Sequence, residues 1–392
     1  MTRKAAALCA CTVVAAGFAV PRQQAPYVPP VAPAIAKTYD TGPTGEELFG
    51  IGALTIEPLS GALWVQYGKS TDPPIRIDRH TRAIKTIGRS GSGPDEYRVP
   101  SAMVPGVRGD VGIWDSNRRL WFWVDSAGRQ VRTWSVPTNS GDARHVFSDL
   151  TGRVYIAQPV SFTDYNTQVG VRIDSATGFR DTVNIPFKAD PKWRWSSQTV
   201  IPGGKRSSTF LVPYAPYVIW GFDRRGRLYA AWSDSNYVQI HDGGHDRRLM
   251  MPNIPEPVTS AERDTARAYL DQVENRTKVE GGQFTGPRPP APTYHPQIED
   301  VLPELNGGIA VVRTRTCANL PDWRAPDSRA PATDPKARCA FVERFDADGR
   351  RLRPFTLLKG DQLRAIRGDT AWVVRSNADG LQHVLELVVP KG

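Results

Sequence analysis

Cysteine, methionine and histidine are scarce in this chain of 392 residues, at four, four and six. Cys9 and Cys11 fall in the opening segment, which leaves the body with Cys317 and Cys339 alone. That excludes a dense disulfide framework, and neither cysteine has another Cys or a His at zinc-ligand spacing. Also missing are the Gly-x-Ser-x-Gly elbow, the His-Glu-x-x-His pair and the Gly-x-x-x-x-Gly-Lys-Ser/Thr phosphate loop. Their absence removes the common single-segment hydrolase and nucleotide sites, although not a site assembled from several segments. The basic residues, mostly Arg, are scattered and form no stripe interleaved with aromatics, so no nucleic-acid partner is expected. The formal net charge is +10, or +8 once Arg3 and Lys4 are set aside, and it reads as an Arg-rich solvated surface.

The Ala-rich stretch 5–16 is too short for a convincing bilayer span, so no transmembrane helix is expected. Lying behind Arg3 and Lys4 and ahead of the small-residue site Gly17-Phe18-Ala19, it has the form of a signal peptide over residues 1–19. Leu8-Cys9-Ala10-Cys11 also has the form of a lipoprotein processing site with Cys11 as lipid anchor, but it leaves little apolar region before the cut. Export is the better reading, and the location is then periplasmic, secreted or cell-surface. Residues 20–33, VPRQQAPYVPPVAP, read as an extended Pro-rich tether ahead of a single domain over 34–392. In an exported protein, Cys317 and Cys339 flank a Pro- and Asp-rich stretch and are expected to close a surface loop as a disulfide.

What is abundant is glycine and proline, 34 of each, in a pattern of turns. A turn glycine followed by an aromatic-rich strand recurs six times: SGALWVQY (60–67), RGDVGIWD (108–115), TGRVYIAQ (151–158), RGRLYAAW (225–232), GGIAVVRT (307–314) and RGDTAWVV (367–374). Between these lie Asp-led turns such as DSAGRQVRTWSVP (125–137) and DADGRRLRPFTLL (346–358). Glycine supplies the positive φ of tight connections, and the strands alternate between more and less buried faces. Six copies imply six four-stranded units, which bury both faces only when stacked around an axis. The last copy is one strand short, and AIAKTYD (34–40) is placed to supply it and close the ring. Three insertions interrupt the pattern: loops at 187–208 and 315–338, and 257–297, which holds the one expected helix. There Thr259 and Glu262 have capping-box spacing, and Ala266, Tyr269, Leu270 and Val273 form an apolar stripe expected to pack on the neighbouring sheet.

The run GRSGSGPDEYRVP (88–100) sits between two such units. Its Gly91, Gly93, Pro94, Glu96, Tyr97 and Pro100 resemble the connector of bacterial six-bladed β-propellers related to the NHL-repeat proteins. The resemblance extends from about residue 45 to the end and implies an all-β, six-bladed propeller with one inserted helix and an N-terminal closing strand. Physically the run is a joint between units: its glycines turn the chain, Tyr97 wedges between sheets, and Glu96 accepts backbone N–H bonds.

Some relatives implied by the resemblance are metal-dependent enzymes, with a divalent cation such as calcium held in the channel by Glu, Asn and Asp. Glu46 and Glu47 offer one such ligand here, without identifiable partners; the expectation is that no cofactor is held. The most metal-like run, His241-Asp242-Gly243-Gly244-His245-Asp246, falls where the other copies have a solvated Asp-Gly turn. The loops that gather at one mouth of the ring carry Tyr67, Asp115, Tyr165, Tyr217, Asp234, His295 and Glu299. Aromatics beside carboxylates and amides suit a small polar ligand, a glycan or a protein. The expected function is therefore a binding or scaffold module, the alternative being a metal-dependent, lactonase-like hydrolase or lyase at the channel mouth.

Overall fold

The computed structural model describes residues 28–135, 146–161, 164–174, 177, 180–185, 191–202, 204–316, 338–358, 361–377 and 379–391. The expected signal peptide, Cys11 and Cys317 lie outside these residues, and of Cys339 only the backbone is described, at the start of a strand.

Six four-stranded antiparallel sheets follow one another along the chain. The first comprises Ala53–Ile56, Leu63–Gln66, Ile75–Ile77 and Ile84–Thr86. The second comprises Pro100–Pro105, Val111–Asp115, Leu120–Val124 and Gln130–Ser135. Val146–Ser148, Val154–Ser161, Asp164–Ile173 and Arg180–Asn184 make the third. Val218–Phe222, Leu228–Trp232, Tyr237–Asp242 and His245–Met250 make the fourth. The fifth is Asp300–Pro303, Ile309–Thr316, Arg338–Phe345 and Arg351–Leu357. In the sixth, Gln362–Arg367, Thr370–Ser376 and Gln382–Val388 are joined by Ala34–Tyr39 from the other end of the chain. Thr38 pairs with Leu385 and Tyr39 with Val384, so the short last copy does take its outer strand from residues 34–39.

Each repeated turn-Gly segment is the second strand of its sheet, and the Asp-led turns have one chemistry. In the Asp-x-x-Gly-Arg turns beginning at Asp125, Asp149, Asp223 and Asp346, the Asp Oδ1 accepts the backbone N–H of the Arg four residues on. The glycine takes a positive φ, +77° at Gly226 and +81° at Gly349, where a side chain would be strained. First strands of successive sheets are neighbours: Ala53–Ile56 lies beside Pro100–Pro105 and, on its other side, beside Gln362–Arg367. Between the sheets run apolar layers, for example Trp64, Tyr97, Val111, Ile113 and Phe122 between the first and second.

The 88–100 run is the joint between those two sheets. Arg89–Ser90 and Glu96–Tyr97 pair in parallel, Tyr97 is buried and meets Phe122 edge-on at 5.4 Å, and Pro100 opens the next strand. Glu96 accepts from the Gly93 N–H and pairs with Arg89. Gly91 has a φ of +150°, whereas the strongest demand for glycine falls on Gly88: its φ is +72° and a Cβ there would meet Asp95 O at 2.5 Å.

Two expectations need correction. Residues 187–208 are not a plain loop: Arg194–Ile201 and Gly204–Leu211 pair with each other, and Gly282–Phe284 from the later insertion joins them as a third strand. The helix α1 (Ser260–Val279) does carry the capping box, but its Leu270 and Val273 pack with Trp195, Val212 and Ala215 of this inserted module, not on a four-stranded sheet. Tyr269 is exposed and leaves the stripe. The two insertions thus build one small helix-and-sheet module beside the fourth sheet. Further upstream, Val31 hydrogen-bonds Pro354 and Thr356 backbone, so the expected tether is already docked on the fifth sheet there.

Candidate ligand cleft and axial cavity

The seven residues expected at the mouth divide among several places. Asp115 is fully buried, and its carboxylate accepts the backbone N–H groups of Arg98, Val99, Asn117 and Arg118. That is a turn-bracing role, and it corrects the reading of Asp115 as a ligand contact. Tyr67 follows the first sheet's second strand and donates to Glu46 Oε1. Glu46 also takes the Thr44 N–H and hydroxyl; the bonds from Thr44 and Tyr67 lower its pKa to about 2. Its oxygens therefore serve the loop, and no group of three or more His, Cys, Asp or Glu among the described residues is placed to hold a metal ion. Tyr165 lies in the third strand of the third sheet, with its side chain outside the description. The His241–Asp246 run is a hairpin turn with Gly243 and Gly244 at positive φ, and His241 Nδ1 lies 2.8 Å from Asp246 Oδ1.

Tyr217 and Glu299 line a shared cavity. The first strands of all six sheets line one cavity of about 620 Å³, and both residues stand at its wall. Tyr217 donates its hydroxyl to Glu299 O at 2.7 Å, and burial pushes its phenol pKa up.

Asp234 and His295 meet elsewhere, in a cleft of about 1020 Å³ between the fourth sheet and the inserted module. Trp193, Trp232, Tyr237 and Tyr294 give it aromatic surfaces. The Asp234 side chain is exposed and makes no hydrogen bond among the described residues, while its backbone carbonyl holds Gln297 Nε2 at 3.1 Å. Gln297 also bonds Asn253 at 2.9 Å and Arg313 at 3.0 Å, which fixes the amide as part of the wall. Arg248 Cζ lies over Tyr237, 4.5 Å from the ring centroid, in a cation–π contact. His295 itself is buried. Its Nε2 sits 2.9 Å from Glu262 Oε2, and Tyr214 meets it edge-on at 4.9 Å. Burial alone would raise the Glu262 carboxyl, but the Thr259 and His295 hydrogen bonds prevail and bring its pKa to about 2. The residue that caps α1 therefore also pins the cleft wall. Trp232, Tyr237, Arg248, Asn253 and Gln297 escaped sequence reading. The signal was present in Trp-Ser-Asp-Ser-Asn-Tyr (232–237), an aromatic-flanked polar turn, but its partner surface is supplied by an insertion about sixty residues away.

No family model matches the chain, and no curated sequence does. Among solved structures, a member of the duf4221 family from Bacteroides vulgatus is similar over 92% of this chain and 98% of its own, at 12% identity and a TM-score of 0.52. Virginiamycin B lyase from Staphylococcus aureus covers 90% of this chain and 99% of its own, at 10% identity and a TM-score of 0.43. A gluconolactonase from Xanthomonas campestris covers 93% and 99%, at 9% identity and a TM-score of 0.42. Likeness at these identities concerns fold and not chemistry. No helix among the described residues is long and apolar enough to cross a membrane. The chain has a β-propeller fold.

Proposed function

We propose that the chain is an exported six-bladed β-propeller, related in its connector to the NHL-type propellers and closed into a ring by its N-terminal strand. It acts as a binding module for a small polyhydroxylated ligand of the saccharide class, seated in the cleft between the fourth blade and the inserted module. Ring closure is supported by the cyclic adjacency of the six first strands and by the pairing of Ala34–Tyr39 with Gln382–Val388. Export rests on the form of residues 1–19, and the Cys317–Cys339 disulfide follows from that location.

The observation that carries the function is the composition of the cleft. Trp232, Trp193 and Tyr294 offer apolar faces to the C–H face of a sugar ring. Asp234 and Arg248 supply an acceptor and donors that make no side-chain hydrogen bond among the described residues. The volume of about 1020 Å³ accommodates an oligosaccharide end better than a single ion.

The test is a panel of neutral oligosaccharides screened by thermal unfolding of the mature chain, since a ligand that binds only the folded state raises its midpoint. At least one saturable shift is expected. A flat response across the panel, with shifts from peptides instead, would assign the cleft to protein recognition.

A further inference from the structure

Arginines in this protein have a consistent habit. Arg344 on Glu304, Arg351 on Glu343 and Arg375 on Asp361 each present the Nε/Nη2 edge to both oxygens of a carboxylate, at 2.7–2.9 Å. Such side-on forks are the strong form of the arginine–carboxylate contact. Arg224, at the wall of the axial cavity, departs from the habit. It is only 3% exposed, and its Nη1 is anchored by Pro105 O at 3.1 Å, Ser148 O at 2.8 Å and Ser148 Oγ at 2.6 Å. Its Nε is buried with no hydrogen-bond partner among the described residues. Asp149, which acts on Arg224 electrostatically, makes its hydrogen bonds to its own turn and to Tyr155. A buried cation left without a counter-charge is costly unless something completes it.

The cavity has what would complete it. Phe147, Ile219 and Leu305 give it apolar wall, and Arg364 brings a second guanidinium whose Nε is likewise sealed without a partner. Asp300 faces Arg364 electrostatically, and Glu299 stands beside Asp300, so the lining does not favour a ligand with several negative charges. We infer that the cavity shared by the six first strands binds a small monocarboxylate, its carboxylate paired with the Arg224 guanidinium at the wall and its apolar part against the cavity wall. This site is separate from the saccharide cleft and does not depend on it.

Sodium butyrate and its uncharged isostere butyramide are the probes, titrated into the full mature chain at ionic strength held constant with sodium chloride. Butyrate is expected to raise the unfolding midpoint saturably, and butyramide to leave it unmoved at the same concentrations. Calorimetry should show butyrate binding at least tenfold weaker on Arg224→Gln and unchanged on the cleft variant Trp232→Ala. Should Arg224→Gln fail to fold because the Nη1 anchors are lost, the wild-type comparison of the two probes decides alone. Equal shifts from butyrate and butyramide, no shift from butyrate, or inorganic phosphate binding as tightly as butyrate would each overturn the inference.

Discussion

Arg313 and Arg344 are exposed by only 1% and 2%, and they join parts of the chain that are distant in sequence. Arg344 forks onto Glu304 and also donates to Gly368 O and Pro390 O, tying the fifth sheet to the sixth. Arg313 reaches Pro252 O and Gln297, and Arg79 forks onto Glu386 between the first and sixth sheets. Composition suggested a solvated arginine surface; a good part of it is instead inter-sheet fastening. Removing one partner of a buried pair strands the other, so Arg344→Met should cost roughly 3–5 kcal/mol in urea unfolding, and the Glu304→Leu double variant should recover much of it. A cost below about 1 kcal/mol would show that the pair contributes little beyond packing. Glu262 gives a pH signature. Its carboxyl is held at about 2 in the folded chain against an ordinary 4.5, so its stabilisation is complete above pH 4.5 and fades as pH falls toward 2. Glu262→Gln keeps an amide oxygen for the capping box but loses the charge, and should therefore lower stability at pH 7 by about 1 kcal/mol, and by progressively less at pH 3.5 and 3. A pH-independent deficit would contradict the assignment.

At the scale of elements, the joint at 88–100 and the pairing of the two chain ends carry the architecture. Tyr97 fills the space between the first two sheets, and Tyr97→Ala should destabilise by roughly 3–5 kcal/mol in chemical denaturation, as large-to-small changes in packed cores do. A loss under about 1 kcal/mol would mean that the wedge is not part of the core. A chain starting at residue 41 would bare the Gln382–Val388 edge now covered by Ala34–Tyr39. Concentration-dependent self-association in light scattering is expected, and a stable monomer would argue that this pairing is dispensable. These elements were legible from residues because each depends on local chemistry: a turn glycine, an Asp capping its own turn, an alternating strand. The inserted module was not. Arg194–Ile201 and Gly204–Leu211 are polar strands with no apolar alternation in their sequence, and they acquire a third partner only when Gly282–Phe284 returns to them.

For the whole molecule, the same division explains the site. Turn position in a repeat tells which end of a sheet a residue occupies, and Asp234, His295, Tyr217 and Glu299 stand at cavity walls. Which of two cavities each would face was not readable, since neighbours in sequence part company: Gln297 lines one cavity and Glu299 the other. Asp115 was misread for a related reason: a carboxylate at a strand end looks the same in sequence whether it faces a ligand or four backbone N–H groups. What remains distinctive is that a scaffold of repeated four-stranded sheets has recruited two insertions, and that the cleft is lined by residues of both the fourth sheet and the inserted module. Isothermal titration of the best oligosaccharide from the panel into wild-type, Trp232→Ala and Asp234→Ala chains tests that claim most directly. Each variant should fold with an unchanged circular dichroism spectrum and bind at least tenfold more weakly, about 1.4 kcal/mol. Binding undiminished in both variants would place the ligand elsewhere and contradict the cleft as the functional site.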